Sequence, residues 1–280
     1  MNTPPKLNFV ANTYSYTVNY SALEAIDRLL RIGFSAFELM MYPGHLWPND
    51  LDGGARRRLK QEIKNRGVAI RSFNQPNIDI NLAGASPEMR KYSTDIIRSI
   101  LELAGDLEVP GVVIGPGKIN SLMPIPRERV IGYFNQALET LVPLAESVGT
   151  RVLVENMPFS FAPDIDSLMT MVDDFGDDRV GVVYDLANGY FMKERPRDAI
   201  IRAGKRLDIV HVSDTGLNVC MHDPIGHGTM DYVAIKADLE EVEWTDPIVM
   251  EIIAVSDNPD LELQDSIARL GEFGWETVRG

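Results

Sequence analysis

Four residues in the second half of the chain have the types needed to hold a divalent cation: Glu155, Asp185, His211 and Glu251. Each sits at or near the end of a short apolar run: "RVLVE" (151–155), "VGVVYD" (180–185), "DIVHVS" (208–213) and "PIVMEI" (247–252). A single acid in such a place reads as a helix cap or a salt-bridge partner, and a single histidine reads as a satisfied core residue. The same placement on four successive runs calls for another explanation. Three carboxylates and an imidazole brought to one point repel one another unless a positive charge sits among them. Oxygen-rich ligation with one nitrogen suits Mn²⁺ or Mg²⁺, with Co²⁺ or Zn²⁺ as further options.

The elements that must bring these residues together are legible as an alternation. Four more short runs, rich in β-branched and aromatic residues, precede the ones above: 7–11, 36–40, 68–73 and 111–115. None alternates cleanly between apolar and polar, which is how strands covered on both faces read. Between the runs lie amphipathic stretches at 21–33, 52–66, 86–109, 126–149, 164–175, 195–207, 231–240 and 258–273. Ser86 and Pro87 open one helix; Gly33 and Gly149 close two others, and Pro143 is placed to kink the one it interrupts. Eight strands alternating with eight helices predict an α/β fold, a single (β/α)8 TIM barrel. A doubly wound open sheet is less consistent, because no GxGxxG follows the first strand. Without a linker or composition break, residues 1–280 read as one domain. The longest non-helical insert, 214–230, follows the seventh strand, on the side where such barrels keep their chemistry.

Composition narrows the partners. The 280 residues are 45% hydrophobic and 24% charged, with a formal net charge of −14. A field of that sign disfavours nucleic acid. Cys220 is the one cysteine, so no disulfide forms within the chain, and no run approaches a membrane span. With no apolar signal region at the N-terminus, a soluble cytoplasmic protein is expected.

The tracts "VLVENMP", "GVVYDLANGYF", "IVHVSDT", "HDPIGHGTMDY" and "VMEI" resemble, in order, the signature of the xylose-isomerase-like TIM barrels. That superfamily holds sugar isomerases, ketose 3-epimerases, inosose dehydratases, 3-dehydroshikimate dehydratase and endonuclease IV. The resemblance implies a divalent metal on Glu155, Asp185, His211 and Glu251. It also implies that Glu155 and Glu251 are catalytic, exchanging a proton on opposite faces of a carbon beside a ketone through an enediolate. Two departures narrow it. Many relatives read D-x-x-H after the sixth strand, whereas this chain has Asn188, which donates a hydrogen bond but does not titrate near neutral pH. The extra histidines of endonuclease IV are missing from "SFNQPN" and "IGPGK", and Cys220-Met221-His222 stands where a D-x-H belongs. Asn188, His222, Glu38, Lys118 and Asn74 are the expected substrate contacts, while His227 is assigned to a structural turn. The expected activity is a metal-dependent isomerase or epimerase of a small ketose or related hydroxy-ketone, working as a homo-oligomer (dimer or tetramer). A lyase of the inosose or 3-dehydroshikimate dehydratase type is the alternative, and a non-catalytic sugar-binding subunit a more distant one.

Overall fold

The structure is a computed structural model that describes residues 8–246, 248–253 and 257–275. Its eight strands are β1 (Phe9–Asn12), β2 (Ala36–Met40), β3 (Ala69–Asn74), β4 (Gly111–Ile114), β5 (Arg151–Glu155), β6 (Gly181–Asp185), β7 (Leu207–Val212) and β8 (Ile248–Met250). All neighbours pair in parallel, and β8 returns to β1, closing the barrel. The expected strands therefore stand, with ends moved by one or two residues. Leu7 and Pro247, the first residues of two expected runs, lie outside the described residues.

Among the described residues, nine α-helices cover the barrel: α1 (Ala22–Ile32), α2 (Gly53–Asn65), α3 (Pro87–Leu107), α4 (Arg127–Val148), α5 (Ile165–Phe175), α6 (Leu186–Phe191), α7 (Pro196–Ala203), α8 (Tyr232–Glu241) and α9 (Pro259–Glu272). Local chemistry sets their limits. Ser21 and Glu24 form a reciprocal capping box at α1, and Gly33 ends that helix in the left-handed region at φ 118°. Ser86 accepts a hydrogen bond from the Met89 amide at the start of α3. Helix α4 runs on through Pro143. That proline is on the exposed face, where water can satisfy the carbonyl it leaves without a partner. The six-residue α6 is absent from the sequence reading. It is too short for a helical period to register, and it begins at once after β6.

Strand residues divide between two cores. Outward-facing side chains such as Val152, Val154, Val182, Tyr184, Val210 and Val212 pack against the helices in the large cluster. Inward-facing Val10, Val113, Leu153, Val183, Ile209 and Val249 form a separate layer inside the barrel, with Ala36 against it. This second layer explains why the strands lack polar alternation, and it sets the floor of the site.

Candidate metal centre

Side chains along a strand alternate with period two, so the residue two positions beyond an inward-facing one also faces the axis, one step nearer the C-terminal end. Two steps on from Leu153, Val183, Ile209 and Val249 stand Glu155, Asp185, His211 and Glu251. Asn12 and Glu38 bear the same relation to Val10 and Ala36. Pairing then sets the heights. Asp185 is opposite His211, while Glu155 is opposite Val183. Glu251 lies just beyond β8 and keeps to the ladder through its amide, which donates to the Val212 carbonyl at 3.0 Å.

One donor atom from each of Glu155, Asp185, His211 and Glu251 falls within 4.8 Å of the others, and all four residues are buried. The imidazole is at the centre. His211 Nδ1 is 3.1 Å from Glu251 Oε2, 3.3 Å from Glu155 Oε1 and 4.0 Å from Asp185 Oδ2. Asp185 meets two demands at once: its Oδ1 accepts from the Asn188 amide at 2.6 Å, capping α6, while its Oδ2 is buried without a hydrogen-bond partner. Helix cap and metal ligand, which compete as explanations in the sequence, need not exclude each other here, because the cap uses one oxygen and leaves the other open. Asn156 steadies the same turn, with Oδ1 accepting from the Asp185 amide at 2.7 Å and Nδ2 donating to the Asp185 carbonyl at 3.2 Å.

The electrostatics call for a cation. Burial, reinforced by Glu251, pushes the Glu155 carboxyl up to about 8. Burial and Glu251 also raise Asp185, against the pull of His222 and His211. Burial alone would lower His211, but Glu38, Glu251 and Glu155 hold it well above the usual histidine range. Three acids crowded in a dry space draw positive charge from whatever can supply it, and an ion among four inward donors does so more fully than one proton on a ring. The donor set fits a divalent metal.

Glu38, an expected substrate contact, is fully buried and both its oxygens are engaged within the protein. Oε1 accepts from Asn12 Nδ2 at 2.6 Å and Asn74 Nδ2 at 3.1 Å, and Oε2 accepts from Ser72 Oγ at 2.6 Å. His211 Nε2 is 3.2 Å from Oε1, close but short of full hydrogen-bond alignment, so the contact is mainly Coulombic. Burial would raise Glu38, but the His211 ring and the Ser72 and Asn74 donors outweigh it and hold the carboxyl below its ordinary value. The two asparagines also reach the ligand set: Asn12 Nδ2 is 3.1 Å and Asn74 Nδ2 is 3.3 Å from Glu251 Oε1. Asn12 and Ser72 escaped the sequence reading. The signal was available for Asn12, a polar residue ending a buried strand, had the first run been carried one residue further.

Above the ligands is a cavity of about 450 Å³. Of the four residues in the cluster, Glu155 and Glu251 are the ones on its wall, joined by Asn74, Lys118, Asn188 and His222. His222 Nδ1 is 3.0 Å from Ser213 Oγ, 3.7 Å from Glu251 Oε2 and 3.8 Å from Asp185 Oδ2. Asn188 turns its Nδ2 to the Asn156 carbonyl at 3.0 Å, and the Lys118 ammonium donates to the Ile78 carbonyl. Burial lowers the Lys118 ammonium. Tyr14 and Cys220 also line the cavity, although nothing in their sequence neighbourhood marks them. Burial first, and Glu251 next, push the Tyr14 phenol up to about 12. Asp214 holds the long loop in shape, accepting from the amides of Thr215, Met230 and Gly226. His227 is exposed in that loop, beside Gly226 at φ +85°.

Residues 26–273 match the family described as the xylose isomerase-like TIM barrel. The chain belongs to this family. A D-tagatose 3-epimerase-like protein superposes with a TM-score of 0.80 at 21% identity, covering 95% of this chain and 96% of that one. The IolI protein, solved with a bound zinc atom, gives 0.74 at 18% identity over 95% and 96%. An uncharacterised protein of Methanocaldococcus jannaschii is 23% identical over 239 residues, 82% of this chain and 79% of its own length. At these identities the structural likeness is one of fold, shared across the xylose isomerase-like barrels.

Proposed function

We propose that this chain is a divalent-metal-dependent isomerase or epimerase of a small ketose or related hydroxy-ketone. One observation carries the reading: Glu155 and Glu251 belong to the four-residue ligand cluster and also face the cavity. When bound, the divalent ion supplies positive charge beside a ketone oxygen and its neighbouring hydroxyl, which makes the intervening C–H acidic. Glu155 and Glu251 are the groups that move the proton, one carboxylate removing it from one face and the other returning it to the opposite face. Asp185 and His211 hold position beneath, and the depth of the site keeps bulk water from the enediolate. Mn²⁺ or Mg²⁺ suits the donor set best. The D-tagatose 3-epimerase-like fold relative supports this choice of chemistry.

A lyase is the second reading, favoured by His222. Its ring lines the cavity 3.7 Å from Glu251 Oε2, where it could protonate a departing hydroxyl. A panel of ketoses, inososes and 3-dehydroshikimate, incubated with metal-loaded protein in D₂O, separates the two. Deuterium at the carbon beside the carbonyl, without loss of water, is the expected result. Glu155→Gln and Glu251→Gln should each slow the exchange about 100-fold or more. Loss of water would favour the lyase. Wild-type exchange rates in both variants would remove these glutamates from proton transfer, and tight binding without exchange would indicate a binding protein.

A further inference from the structure

The cavity has two unlike ends. At the bottom are the carboxylates; the wall built by the loops after β3, β4 and β5 is apolar, with Ile119, Met157, Pro158 and Phe159 facing the space. These loops are fastened together. Lys118 and Ser160 form an antiparallel bridge, and the Ile119 amide donates to the Phe159 carbonyl at 3.5 Å. Asn81 Nδ2 donates to the Lys118 carbonyl at 3.1 Å. The Phe159 ring packs on Phe191 with centroids 5.9 Å apart, yet Phe159 is 68% exposed and Ile119 48%. Large apolar side chains held open to solvent at the mouth of a cavity have a surface to offer a ligand.

The polar groups on that side already carry hydrogen bonds within the protein. Asn74 Nδ2 serves Glu38 and Glu251, Asn188 Nδ2 serves the Asn156 carbonyl, and the Lys118 ammonium serves the Ile78 carbonyl. Ser160 Oγ accepts from the Ala162 amide at 3.1 Å, and Asn77 Nδ2 points at Met157 Sδ. None of the described residues lining the cavity is an arginine. A free ketose bears a hydroxyl on nearly every carbon, and each one taken from water needs a partner. The wall beyond the carboxylates has few to give.

We infer that the substrate is a keto-sugar bearing an apolar substituent, an ether, ester or glycoside, whose hydroxy-ketone end lies over Glu155 and Glu251 while the substituent packs on Ile119 and Phe159. This rests on the function proposed above and narrows its substrate class. Continuity of the apolar wall with the carboxylate end, in one cavity, favours a single amphiphilic ligand over a protein partner.

The test compares the D-ketohexoses with their 6-O-benzyl ethers on the Mn²⁺-loaded chain, by calorimetry and by hydrogen exchange in D₂O. For at least one sugar, the ether should bind about tenfold tighter than the parent. Phe159→Ser and Ile119→Ser, both at exposed positions, should bring that ratio towards one in variants whose circular dichroism matches wild type. If every parent sugar binds as well as its ether, the inference is overturned and the isomerase reading is left standing. A preference that survives both substitutions overturns it too, because the substituent then lies elsewhere. If no sugar or ether binds or exchanges, the proposed function falls and takes this inference with it. Sedimentation of the same proteins covers the other occupant: a dimer that Phe159→Ser dissociates puts a second copy on this wall and overturns the inference.

Discussion

Glu38 is the residue whose chemistry was hardest to read before the fold was known. Buried acids are rare without partners, and this one gathers Asn12, Ser72, Asn74 and the far nitrogen of His211 around itself. With Nε2 3.2 Å from Glu38 Oε1, the Nδ1 side of the ring faces Glu155, Asp185 and Glu251, an orientation that suits a metal ligand backed by a carboxylate. Glu38→Gln keeps the shape and the oxygen acceptor but removes the charge. It is expected to weaken Mn²⁺ binding by about 10- to 100-fold, and to alter the visible absorption of the Co²⁺-substituted protein. Unchanged affinity and spectrum would reduce Glu38 to packing. The four residues of the cluster were legible because each breaks an apolar run. Glu38 breaks one in the same way, and what the sequence does not show is the set of partners that takes up both its oxygens. Those partners come from three other strands, so no single strand carries the contact in its sequence.

At the scale of elements, alternating apolar and amphipathic stretches were enough to place the eight strands, because parallel strands covered on both faces admit few polar residues. The cost of that reading was α6. Its six residues are shorter than two helical turns, and its start is defined by the Asp185 cap, a contact that exists only once Asp185 is fixed at the strand end. Glu194, in the link from α6 to α7, shows a related tension. Its Oε1 accepts from the Ile165 amide at the N-terminus of α5 at 2.9 Å, while Oε2 is buried without a partner. Burial pushes this carboxyl up to about 7 from 4.5, against that hydrogen bond and with help from Asp164 and Asp166. The folded protein then keeps a proton that the unfolded chain releases at lower pH. Its contribution to stability is therefore complete below the unfolded value and is lost as pH rises through the folded one. Glu194→Gln should be near neutral at pH 4.5 and stabilising by about 1 kcal/mol at pH 8, after allowance for the solvent that reaches this group. Chemical denaturation at both pH values measures it, and an equal effect at the two would refute the assignment.

For the whole molecule, the barrel is the means by which residues far apart in sequence share one point. Closure of β8 on β1 brings Glu251 within 3.1 Å of Asn12 Nδ2, although 239 positions separate them along the chain. No helix among the described residues is long and apolar enough to cross a membrane. The formal charge of −14 raises the local concentration of cations around the chain without selecting one. The proposed site of selection is the four inward donors, and calorimetric titration of chelator-stripped protein with Mn²⁺ tests them most directly. The account predicts one ion per chain, with binding abolished in His211→Ala and in Asp185→Ala variants whose circular dichroism matches wild type. Wild-type protein that takes up no ion, or variants that bind it as tightly as wild type does, would contradict it.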